Sequence, residues 1–113
     1  MERLPYFAAG YEFGAEEFVA AAKALGYERV NPKNPLHIGW SCVKISLHLR
    51  CDIVMLQGDP DDTWSYFIFT RGSRQRSGFP WAEHEKDREV KVLAQALGIK
   101  CKEFKNLDHP KIL

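Results

Sequence analysis

Twice along this chain an apolar helical stripe runs into a glycine and then into a short β-prone segment. Ala24-Leu25-Gly26-Tyr27-Glu28-Arg29-Val30 and Ala96-Leu97-Gly98-Ile99-Lys100-Cys101-Lys102 follow the same order. A helix that stops at Gly and returns to a strand is how one half of a βαβ crossover ends, so an α/β architecture is expected. Two copies are too few for a solenoid, and the likeness is shared α/β grammar rather than a repeat. At 113 residues with no linker-like stretch, the chain corresponds to one domain, residues 1–113.

The first helix is expected over Ala15 to Leu25, with Glu16 and Glu17 in the turn where the helix dipole favours anions. The last is expected over Glu83 to Leu97, where Val90, Leu93, Ala94 and Leu97 make an apolar stripe. Leu4 to Ala8, Glu28 to Val30, Ile53 to Leu56, Trp64 to Phe69 and Ile99 to Phe104 read as strands, Ile53 to Leu56 as an interior parallel one. Val43, Ile45, Leu47 and Leu49 alternate with polar residues, which on periodicity alone is a strand. A helix from Trp40 to Leu49 would instead bury Cys42, Ile45 and Leu49 on one side. The expected core comprises Phe18, Ala22, Leu25, Ile53, Met55, Val90, Leu93 and Leu97.

Sixteen Lys and Arg against fifteen Asp and Glu leave a net charge of +1, which excludes a strongly basic nucleic-acid coat or an acidic tail. Three cysteines, an odd number without a CxxC pair, point to reduced thiols in a cytoplasmic protein rather than to a disulfide framework or a zinc site. Met1 to Pro5 is too short and polar for a signal peptide, and no apolar run approaches the roughly 20 residues that span a bilayer. His37, His48, His84 and His109 are scattered at no metal-ligand spacing, so neither a metal nor a cofactor is expected.

Several short motifs fall in an order that resembles the nucleoside 2-deoxyribosyltransferase-like superfamily, and its small phage and bacterial members in particular. They are Tyr6-Phe7-Ala8-Ala9-Gly10, Gly26-Tyr27-Glu28-Arg29-Val30-Asn31-Pro32, Trp40, Cys51-Asp52-Ile53-Val54-Met55-Leu56, Ser77-Gly78 and Ala94-Gln95-Ala96-Leu97-Gly98. The resemblance spans about residues 4 to 104. It implies a three-layer Rossmann- or flavodoxin-like domain with a mostly parallel sheet of four or five strands, and it selects the helix for Trp40 to Leu49. Two features depart from the family pattern. Val90 occupies the position of the family's nucleophilic Glu, with Glu89 and Glu83 the nearest substitutes, and residues 59–79 read as an insertion.

The implied activity is binding of a nucleoside or nucleotide, with N-glycosidase or deoxyribosyl-transfer chemistry on a deoxynucleoside monophosphate. A carboxylate attacking a sugar carbon needs an Asp or Glu beside the glycosidic bond. The candidate catalytic residues are therefore Glu83 and Glu89, with Tyr6 as a phenol that orients a carboxylate or a sugar hydroxyl. Open parallel α/β sheets bind ligands at the carboxyl ends of their strands, which is where Tyr6 and Gly10 are expected. Arg74, Arg76, Ser77 and Gly78, just before a helix, make a candidate phosphate cradle, so Gly10, Arg74, Arg76, Ser77 and Gly78 are the candidate substrate-binding residues. The alternative is a protein-binding module without catalysis, for example a phage-encoded inhibitor of a host protein. A homodimer and a host protein are the protein partners considered, while a membrane or a nucleic acid is not expected.

Overall fold

The computed structural model describes residues 6–27, 34–57, 64–76 and 78–110. Its elements run β1 (Phe7–Phe13), α1 (Ala15–Ala24), α2 (Pro35–Leu49), β2 (Asp52–Gln57), β3 (Trp64–Ser73), α3 (Glu85–Ala96) and β4 (Lys105–Asp108). The four strands form one sheet in the order β2-β3-β1-β4, and every neighbouring pair is antiparallel. No helix among the described residues is long and apolar enough to cross a membrane.

This overturns the mostly parallel, Rossmann-like sheet. Only six residues separate Gln57 from Trp64, whereas a parallel connection needs a crossover of a dozen or more. β2 and β3 therefore pair as antiparallel neighbours, with Asp52 opposite Phe69 and Gln57 opposite Trp64. The segment expected as an insertion supplies β3, which pairs on both sides, with β1 and with β2. The first strand runs past its expected end to Phe13, placing Gly10 inside the sheet rather than in a loop beyond it. Ile99 to Phe104 is not a strand, and pairing begins only at Lys105. Leu4 and the expected strand Glu28 to Val30 lie outside the described residues.

The three expected helices are present, including the contested one. Asn34 caps α2 by accepting hydrogen bonds from the backbone N–H groups of Leu36 and His37, and Pro35 follows at the first helical position. Arg50 closes it in the left-handed conformation, at φ 55°. The alternation of Val43, Ile45, Leu47 and Leu49 has a helical origin. Residues two apart on a helix stand about 200° apart around its axis, so apolar stripes on opposite faces reproduce the period of a strand. Ile45 and Leu49 are buried, whereas Val43 and Leu47 are exposed.

All three helices pack on one face of the sheet. Tyr11 and Phe13 of β1, Tyr66 and Ile68 of β3, Phe18, Ala21 and Ala22 of α1, Ile45 and Leu49 of α2, and Val90 and Ala94 of α3 share one buried cluster. The Phe18 ring lies flat on Tyr66 with centroids 4.0 Å apart. The opposite sheet face carries a smaller cluster of strand residues only, Ala8, Val54, Leu56, Phe67, Phe69 and Leu107. Of the expected core, Phe18, Ala22 and Val90 are buried, and Leu25, Ile53, Met55 and Leu97 pack against the cluster half-buried. Leu93 is the exception, 39% exposed, because α3 turns Asp87, Val90 and Ala94 inward and leaves Leu93 on its flank.

Candidate functional site: an arginine and aromatic cluster where β1 and β3 meet

The register of β1 against β3 slips by one residue. Ala9 faces Arg71 and Gly10 faces Phe69, so Thr70 has no partner on β1 and forms a β-bulge. In a regular strand consecutive side chains point to opposite faces. Here both Thr70 and Arg71 reach the carboxylate of Asp87, the hydroxyl donating to Oδ1 and the guanidinium to Oδ2 at 2.7 Å. The backbone N–H of His84 also donates to Asp87 Oδ2, at 2.9 Å. Asp87 is 1% exposed, so three donors compensate a carboxylate removed from water. The bulge thereby fixes the start of α3 to the centre of the sheet.

One turn earlier, the Tyr11 hydroxyl donates to Glu83 Oε1. Burial first, then the Glu83 bond and the Glu83 and Asp87 charges, push the Tyr11 phenol well above its ordinary value. Burial likewise pushes Tyr66 up to about 12. A raised phenol favours the neutral form in the folded state, so its contribution is present below the unfolded pKa of about 10 and is lost as pH rises through the folded value. Urea denaturation midpoints are therefore expected to fall as pH is raised beyond about 10. In Tyr11→Phe that alkaline fall becomes shallower. An unchanged alkaline slope in Tyr11→Phe would contradict the assignment.

Tyr6 stands at the other end of this strand. It is 40% exposed, and its ring stacks on His109 with centroids 5.1 Å apart. The Arg74 guanidinium lies 4.2 Å from the Tyr6 ring centroid and donates to the Tyr6 hydroxyl. Arg76 sits beside them, 6.0 Å from the Phe7 ring and 3.9 Å from Asp108, with its side chain 73% exposed. That spacing and exposure make the pair a loose one, of the kind that contributes little. Phe79 closes the cluster against Phe7, with centroids 4.9 Å apart.

The expected site residues thus divide. Tyr6, Arg74 and Arg76 come together. Glu83 is held at the level of Tyr11, roughly 17 Å along the strand from Tyr6 at about 3.3 Å per residue. Glu89 is exposed on α3, where it lines a shallow groove with Glu85, Arg88, Val92 and Leu93. Val90, at the position of the resembled nucleophile, is core. Gly10 meets backbone rather than open space, since a Cβ there would lie 1.9 Å from the Ile68 carbonyl oxygen. Gly78 is exposed at φ +74°, and Ser77 lies outside the described residues.

Two features escaped the sequence. His109 joins the stack from the residue after β4, a stretch that carries no motif. An open cleft of about 360 Å³, lined by Ser46, Arg50, Cys51, Asp52, Thr70 and Lys86, forms where α2, β2, β3 and α3 converge, and its residues are dispersed in sequence. The thiols offer no nucleophile at neutral pH, because burial pushes Cys42 and Cys101 up to about 11 and Cys51 to about 12. Among the described residues, no three His, Cys, Asp or Glu gather as metal ligands. The chain matches no family model, no curated protein and no solved structure.

Proposed function

We propose that the chain is a nucleotide-binding protein whose ligand lies against the Tyr6, Arg74, Arg76 and His109 cluster. The observation that carries this reading is the stack of Arg74, Tyr6 and His109 at the surface, with Arg76 exposed beside it. A base stacks on aromatic rings or on a guanidinium plane, and guanidinium groups pair with phosphate. Binding without glycosidic cleavage is favoured, because both candidate carboxylates stand away from Tyr6. Glu83 accepts the Tyr11 hydrogen bond and Glu89 is exposed on a helix.

Calorimetric titration with a deoxynucleoside monophosphate and with the matching deoxynucleoside tests this. Arg76→Ala is expected to weaken the monophosphate about 5- to 10-fold, as loss of one partly solvated charge-assisted contact does. The nucleoside, which lacks the phosphate, should be little affected. Glu83→Gln and Glu89→Gln should leave both affinities unchanged. Absence of binding by either ligand at millimolar concentration would sink the proposal.

A further inference from the structure

α2 is apolar on two opposite faces. Ile45 and Leu49 are buried in the cluster on the sheet, and Ser41 is buried on the same side of the helix. On the far side, Leu36, Trp40, Val43 and Leu47 are 60%, 56%, 57% and 71% exposed. Taking Ile45 as the inward direction, a rotation of about 100° per residue sets all four within about 40° of straight outward. An exposed apolar stripe of this extent marks a contact surface.

We infer that this stripe is the contact surface for a second copy of the chain, with α2 packing antiparallel on the α2 of its partner about a two-fold axis. The spacing is 4-3-4, the alternation of a helix-pairing seam, and it reads the same in both directions. An isologous interface requires that self-complementarity. With the axis between Ser41 and Cys42, Leu36 meets Leu47 of the second copy and Trp40 meets Val43. α2 contains no acidic residue, so a self-pairing must keep its cations apart. In this register Lys44 stands opposite Gly39 of the second copy, and no Cβ is present there to hold the helices off. The opposed helix dipoles are favourable too.

The area suits a dimer. The exposed parts of the four side chains come to roughly 400–500 Å² per copy, within the range of the largest apolar patch on a typical monomer, which is often functional. Doubled and joined by the flanking polar residues, this approaches the roughly 1,200 Å² at which specific interfaces begin. Trp40, next to the axis, would be its anchor.

Analytical ultracentrifugation of the full chain from micromolar to submillimolar concentration tests the inference. A species of twice the 13.0 kDa monomer mass is expected. Leu36→Glu/Leu47→Glu sets Glu against Glu at both ends of the seam and should raise its dissociation constant at least about 100-fold, because each carboxylate is taken out of water beside a like charge. Val92→Glu, which alters an exposed apolar residue of α3, should not change it. Far-ultraviolet circular dichroism confirms that each variant is folded, and Trp40→Lys supplies a second break in the seam if the double variant is not. A wild-type chain that stays monomeric throughout would overturn the inference and leave the stripe to a different protein. So would a dimer that survives both seam variants, or one that Val92→Glu dissociates equally well.

Discussion

Gly10→Ala is expected to cost at least about 3 kcal/mol and to leave little folded protein, the outcome of overpacking against backbone that cannot yield. Gly10 sits at the register shift between the two interior strands. A Cβ at this position would lie 1.9 Å from the Ile68 carbonyl oxygen and 2.8 Å from the Phe69 Cα. Both are main-chain atoms of β3, so relief requires separating β1 from β3, and that breaks the hydrogen bonds on which the sheet depends. Circular dichroism and urea denaturation read the effect directly. A loss below about 1 kcal/mol would show that the strands are not so closely apposed.

Asp87→Ala should destabilise the fold by about 2–4 kcal/mol. Breaking a buried ion pair generally costs about 3–5 kcal/mol, discounted here because Arg71 is partly solvated. Asp87 accepts from Thr70, Arg71 and the backbone of His84, and the substitution removes that acceptor from all three, leaving Arg71 the Ala82 carbonyl but no counter-charge. The start of α3 loses its attachment to the sheet at the same time. Arg71 also lies 5.7 Å from the Trp81 ring centroid and 5.9 Å from that of Phe104, so its aromatic packing persists while its charge is stranded. Arg71→Met in the Asp87→Ala background should recover part of the loss, because the unpaired charge goes with it. If the double variant is less stable by the full sum of the two single losses, the pair is not coupled.

α1 and α3 were legible because each carries local signals that tertiary packing did not need to override. α1 has its acidic first turn, and α3 has an apolar stripe that ends at Gly98. α2 was harder, since its two apolar faces imitate a strand, and only Asn34-Pro35 marks it as a helix from within. Strand direction was not legible from apolar runs, which look alike in parallel and antiparallel sheets. The one usable signal was the distance between Leu56 and Trp64, too short for a crossover. Reading residues 59–79 as an insertion hid it: Trp64 to Phe69 was expected as a strand, but not as one of the two interior strands of the sheet.

At the candidate site, Tyr6, Arg74 and Arg76 were identified from residue type and do meet. Their convergence does not come from a carboxyl edge of parallel strands, because the sheet is antiparallel. They meet because β1 and β3 pair antiparallel, with Phe7 opposite Ser73, which brings the chain before β1 beside the chain after β3. The Asp87 anchor was invisible for a related reason. It depends on a one-residue bulge at Thr70, and neither the hydrophobic pattern nor the glycine signals mark that position.

Amide chemical-shift mapping by NMR during titration with a deoxynucleoside monophosphate locates the ligand on the protein. Saturable shifts are expected at Tyr6, Phe7, Arg74, Arg76 and His109, with the helix face of α3 unmoved. Shifts confined to Glu83, Glu89 and their neighbours, or to the cleft of Arg50 and Lys86, would contradict that location, as would a spectrum that the nucleotide leaves unchanged.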